Sequence, residues 1–230
     1  MSLCKRDPFA DRKGLFEHLT PRNLFFSSLH ALAFTAAPIV AACTPPPGED
    51  FDDDDDIVDW ERVAIEMQTV KPKAALAFAR VVGCTSLKRA LEAACIRCFS
   101  RKTAARLIKE PSKSAARKFA RLEKSYLARP RIAARMLRTA AYANVCTYAA
   151  NFLVEEALFV AQYVLAKRRE PRNVKKHRAA LRKQTRATLH GYAVAYALAT
   201  LGMGLGTLIR PGWGTTLGGA FGDLAGILLL

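Results

Sequence analysis

The sequence predicts an all-α protein: a helical membrane protein with amphipathic basic helices and a C-terminal Gly-zipper transmembrane hairpin. Three observations predict it. Apolar residues recur at three- and four-residue spacing through the middle of the chain, the period of a helix face. Two stretches without Lys, Arg, Asp or Glu, 24–43 and 189–209, are about as long as a bilayer crossing requires. Gly214, Gly218, Gly222 and Gly226 form an unbroken every-fourth-residue series.

Composition hides this organisation. Hydrophobic residues make up 51% of the 230 and charged residues 24%, as in an ordinary soluble chain. The charges, however, are segregated. Residues 1–61 hold 5 Lys/Arg against 12 Asp/Glu, whereas the remainder holds 31 against 8, leaving a net +23 within a formal +16. A basic body of this kind attracts anionic partners, either an anionic lipid surface or nucleic acid.

Residues 1–23 form an N-terminal segment in which Asp7, Asp11 and Glu17 stand among the basic residues, unlike an acid-poor presequence. Residues 24–43 are a candidate transmembrane helix, with Pro38 placed to kink it. Val40-Ala41-Ala42-Cys43 resembles a bacterial lipobox, which would make Cys43 the lipidated residue, although the acid-containing leader departs from that pattern. Residues 44–61 are an acidic Pro/Asp linker. Pro45-Pro46-Pro47 stiffens its start, and Asp52–Asp56 keeps it solvated. Residues 62–138 are basic amphipathic helices, with breaks expected near Pro72, Pro111 and Pro130. Leu87, Leu91, Ala94, Cys95 and Cys98 share one helix face, and Phe119, Leu122, Tyr126 and Leu127 run between the charges of the 100–138 block.

Residues 139–166 are a candidate transmembrane or interfacial helix. Asn144, Asn151, Glu155 and Gln162 fall within about 40° of one another on a helical projection, with Tyr148 bordering them and Glu156 off the stripe. Adjacent glutamates are costly in a span, which keeps the interfacial alternative open. So does the charge pattern, because a crossing here would put the basic block 100–138 and the basic loop 167–188 on opposite sides, against the usual bias. The glycine-rich hairpin occupies 189–230, turning at Arg210-Pro211-Gly212-Trp213, where Trp suits a membrane interface.

In that hairpin Gly214, Gly218, Gly222 and Gly226 follow a partner helix carrying Gly202, Gly204 and Gly206 and the alternating Ala193, Ala195, Ala197 and Ala199. A glycine face lets two backbones approach closely, and such packing drives helix association in lipid, where burying apolar surface does not. Asp223 interrupts this apolar setting. At midspan a carboxylate costs about 2.5–3.5 kcal/mol on insertion scales, so a partner is expected: His190, Arg210 or a polar group on the 139–166 helix.

The six cysteines show no disulfide-framework spacing, and Cys95-Ile-Arg-Cys98 lacks the second ligand pair of a zinc site, so reduced thiols in helices are expected. The four histidines have no metal spacing, and no phosphate loop, nucleophile elbow or paired-carboxylate motif is present. Neither enzymatic activity nor a cofactor is expected. The expected function is an integral membrane structural or scaffold protein, or an accessory subunit of an organellar membrane complex, mitochondrial ahead of peroxisomal or plastid. Its expected partners are an anionic lipid surface and either further copies of itself or other membrane proteins. Two alternatives remain: an oligomeric channel or translocation component lined by Asn144, Asn151, Glu155 and Gln162, and a basic nucleic-acid-binding protein.

Overall fold

A computed structural model describes residues 9, 13–42, 60–68, 70–123, 129–170, 173–210 and 213–228. Most of the acidic linker 44–61, with Pro211 and Gly212 of the expected turn, lies outside them. Every regular element among the described residues is a helix: a 3-10 turn at Glu17–Leu19, then α1 Pro21–Ala42, α2 Trp60–Met67, α3 Val70–Cys98, α4 Arg101–Leu107, α5 Pro111–Glu123, α6 Arg129–Arg169, α7 Val174–Ile209 and α8 Trp213–Leu228.

The prolines explain several boundaries. Pro21 and Pro111 open α1 and α5, and Pro72 and Pro130 sit in the first turns of α3 and α6, where a missing N–H costs no intrahelical bond. The expected break at Pro130 is therefore a helix start. The expected basic loop over 167–188 is also largely helical, because α6 runs to Arg169 and α7 begins at Val174. Its Ala, Leu, Lys, Arg and Gln residues are strong helix formers, and Lys167, Arg168 and Arg169 complement the negative end of the α6 dipole.

The chain divides into two compact units. One, Gly14–Ser86, holds α1, α2 and the start of α3. Its small core is Ile39, Val63 and Val70 with Ala74 packed against them, and Nε2 of His18 lies 2.7 Å from the Ser86 hydroxyl. Phe25, Phe26, Leu29 and Leu32 of α1 are exposed.

The other unit combines Met1–Lys13 with Leu87–Leu230. In it α7 packs along α6 on one side and along α8 on the other, while α4 and α5 pack on α6. Small side chains form much of the core, among them Ala104, Ala105, Ala115, Ala140, Ala143, Ala150, Ala195 and Ala199, so the helices lie close together. Helices α6 and α7 are antiparallel, with Leu137 against Gly204, Asn144 beside Thr200, Phe152 beside Tyr192 and Glu156 beside Thr185.

That register offsets the apolar stretches. Only 139–152 of α6 lies beside apolar 189–202 of α7, about 21 Å at helical rise. Residues 153–166 of α6 run beside Lys175, Lys176, Arg178, Arg182, Lys183 and Arg186. The last apolar turns of α7 run beside Arg135 and Arg138. By contrast α8 lies wholly alongside the apolar half of α7, from Gly214 at Gly206 to Gly222 at Ala199.

Two helices among the described residues are long and apolar enough to cross a membrane, Ala134–Arg169 and Val174–Ile209. Helix α8 has 16 residues.

In the α3 portion of this unit, Glu92 is buried and bound to Arg89 at 2.6 Å. Burial of the half-buried Lys88 ammonium holds its pKa below the usual lysine value, against the opposing pull of Glu92. Below the folded-state pKa both folded and unfolded chains carry the proton, and the desolvation penalty is fully present. As pH rises toward the unfolded value, the folded chain loses its proton first and stability increases. Lys88→Met should therefore raise Tm at neutral pH. Thermal unfolding in detergent should show this advantage shrinking as pH approaches about 10.

Candidate functional site

The polar and glycine positions singled out in the sequence meet along the α6–α7–α8 bundle. Helix α7 turns one face to each neighbour. Toward α8, a Cβ added at Gly202 would strike the Gly218 carbonyl oxygen, one at Gly206 that of Gly214, and the reverse additions strike the reciprocal carbonyls. Gly222 continues the contact, with its Cβ position 2.6 Å from the Cα of Ala199, and Gly226 lies one turn further along α8. Backbone lies against backbone at Gly202–Gly218, Gly206–Gly214 and Gly222–Ala199. Beyond Gly206 the buried hydroxyls of Thr207 and Thr215 pair at 2.7 Å. The turn closes with Gly214 N–H donating to the Arg210 carbonyl at 2.8 Å.

Toward α6 the contacts are polar and aromatic. Buried Asn144 donates through Nδ2 to Thr200 Oγ1 at 3.4 Å and reaches Met203 Sδ at 3.5 Å. Tyr196 donates to the Ala141 carbonyl at 3.0 Å, and its ring meets Tyr148 edge-on at 5.5 Å. The Tyr148 hydroxyl in turn donates to Oδ1 of Asp223, so α8 is tied to α6 across α7. Further along, Thr185 donates to Glu156 Oε2 at 2.7 Å, while Glu156 Oε1 is buried without a hydrogen-bond partner among the described residues.

No protein-family model, curated protein or solved structure matches this chain.

The expected stripe does not converge on one path. Asn144 is used at the α6–α7 contact, Asn151 and Glu155 are half-buried, and Gln162 is exposed beside the basic half of α7. The ridge of α6 that faces α7 is instead Leu137, Ala141, Asn144, Tyr148, Phe152 and Glu156, at three- and four-residue steps. Glu156, off the stripe on the seven-residue spacing, lies on this ridge. The partner of Asp223 is Tyr148 on the 139–166 segment, rather than His190 or Arg210.

Sequence reasoning overlooked the hydroxyl face of α7. Thr185, Tyr196, Thr200 and Thr207 fall within about 60° at helical spacing, a hydroxyl stripe that runs from the basic half of the helix into its apolar, glycine-rich half. That stripe was visible in the sequence and marks the side α7 turns inward. Among the described residues no group of three His, Cys, Asp or Glu is placed to hold a metal ion.

Two substitutions probe these contacts. Gly218→Ala should destabilise the bundle by about 1–3 kcal/mol, because the added methyl meets backbone that cannot rotate away. Ala220→Val, on the exposed side of α8, should stay within about 0.5 kcal/mol in the same detergent unfolding assay. For the tyrosine–aspartate bond, a double-mutant cycle of Tyr148→Phe and Asp223→Asn should return a coupling of about 0.6–1.7 kcal/mol. Additive losses would mean that the two side chains do not interact.

Proposed function

We propose that this protein is an integral membrane scaffold or accessory subunit, anchored by a glycine-zipper transmembrane hairpin of α7 and α8. The observation that carries this reading is the exposure of its apolar helices. In the most apolar windows of α6 and α7 only 6% and 33% of residues are buried, whereas a core helix of a soluble domain buries most of its apolar face. Leu201, Leu205, Leu208 and Ile209 of α7 and Leu217, Phe221 and Leu224 of α8 are all exposed, and Trp213 stands exposed at the turn between them. A contiguous apolar surface of this kind needs a cover, and lipid suits it. The absence of charge from α8 apart from Asp223, itself bound to Tyr148, supports the hairpin as the inserted element.

Basic amphipathic segments complete the proposal. Lys175, Lys176, Arg178, Arg182, Lys183 and Arg186 are exposed on the first half of α7. Each contributes about 1 kcal/mol when held near an anionic surface. Lys and Arg stems at the ends of the shared apolar zone reach headgroups by snorkelling, which accommodates Arg138 and Arg186. An organellar membrane, mitochondrial ahead of peroxisomal or plastid, suits the reduced thiols of Cys95, Cys98 and Cys146. With Asn144 satisfied by Thr200 and Gln162 outside the apolar overlap, a polar pore along α6 has little support.

Alkaline carbonate extraction of tagged protein from fractionated cells tests the anchor. Full-length protein should stay in the membrane pellet, and a chain truncated after Arg186 should be released. Retention of both would move the anchor upstream, to α1 or α6. Release of both would overturn the membrane reading. Salt-sensitive binding to RNA in the released protein would then favour the nucleic-acid alternative.

A further inference from the structure

We propose that Cys95 and Cys146 form an oxidisable dithiol that staples α3 to α6. Their sulfurs lie 4.0 Å apart, although the residues are 51 positions apart in sequence. A disulfide needs about 2.0 Å, so the two sulfurs have about 2 Å to close. Cys98, the other cysteine of the CxxC, is exposed at the last residue of α3, while Cys146 is buried on α6. The fold therefore gives Cys95 a partner outside its own CxxC.

Charged groups surround the pair. Lys88 and Glu92, seven and three residues before Cys95 on α3, both act electrostatically on Cys146, and Arg89 is bound to Glu92. Exchange with a disulfide proceeds through the thiolate.

The oxidant is a low-molecular-weight disulfide of the glutathione class. The Cys95 thiolate attacks one glutathione sulfur, forming a mixed disulfide and expelling a glutathione thiolate. The Cys146 thiolate then attacks Sγ of Cys95 and expels the second. Two cysteine thiols are oxidised to one disulfide, one glutathione disulfide is reduced, and the two released protons go to the departing glutathione thiolates. The product joins α3 to the segment of α6 in which Asn144 and Tyr148 hold α7 and α8. This inference does not depend on whether any helix crosses a membrane.

The test uses the full chain in detergent, incubated with oxidised or reduced glutathione, alkylated and digested with trypsin. Cleavage after Arg97 places Cys95 and Cys98 on separate peptides. The expected product of oxidation is a Cys95 peptide linked to a Cys146 peptide, reversed by dithiothreitol, with Tm raised by about 5 °C or more. Cys98→Ser should keep both the link and the shift, and both Cys146→Ser and Cys146→Ala should lose them. A dominant Cys95–Cys98 link, a link of either residue to another cysteine, or free thiols after oxidation would overturn the proposal.

Discussion

The close approach of α7 and α8 is the contact on which the rest of the bundle depends. The carbonyls of Gly202 and Gly206 occupy the positions that side chains on α8 would fill, and those of Gly214 and Gly218 do the same on α7. Gly costs a helix roughly 1 kcal/mol per residue relative to Ala. The return is a separation short enough for backbone dispersion contacts and Cα–H···O interactions along several turns. It also brings Thr207 within hydrogen-bond distance of Thr215 and carries Asp223 to Tyr148. A larger residue on the glycine face would push α8 outward and separate both pairs together.

Because the glycine faces are spent on each other inside one chain, the association with further copies or other proteins that the proposal calls for would fall to different surfaces. The exposed leucines and phenylalanines of α7, α8 and α1 are the apolar candidates, and the basic half of α7 is the charged one. The two differ in kind. Contacts of the first are short-ranged and depend on shape. Attraction of the second to anionic headgroups acts over a Debye length and weakens with salt.

In the membrane reading proposed above, the offset between α6 and α7 sets how the bundle would meet a bilayer. Their shared apolar zone of about 21 Å falls short of a hydrocarbon core of about 30 Å. Arginines at its margins, Arg138 on α6 and Arg186 on α7, have stems long enough to bridge part of the difference. The α7–α8 pair has no such conflict, since α8 lies against the apolar half of α7 throughout. The acidic groups follow the same logic. Asp223 within the apolar zone is bound by Tyr148, and Glu156 at its margin is bound by Thr185.

Helical character, the basic blocks and the glycine faces were all legible in the sequence, because each is a local property: a period, a composition, a spacing of four. The every-fourth-residue glycines define a flat face whatever packs against it. The partner of that face, and every pairing between helices, required the tertiary structure. A helix of 41 residues such as α6 can meet a neighbour in many registers of similar periodicity, and only packing of the whole bundle chooses among them. That choice placed Glu156 rather than Glu155 against Thr185, gave Tyr148 to Asp223, and set Cys146 of α6 4.0 Å from Cys95 of α3. Sequence spacing predicts which side chains share a face. Only the fold decides what that face touches.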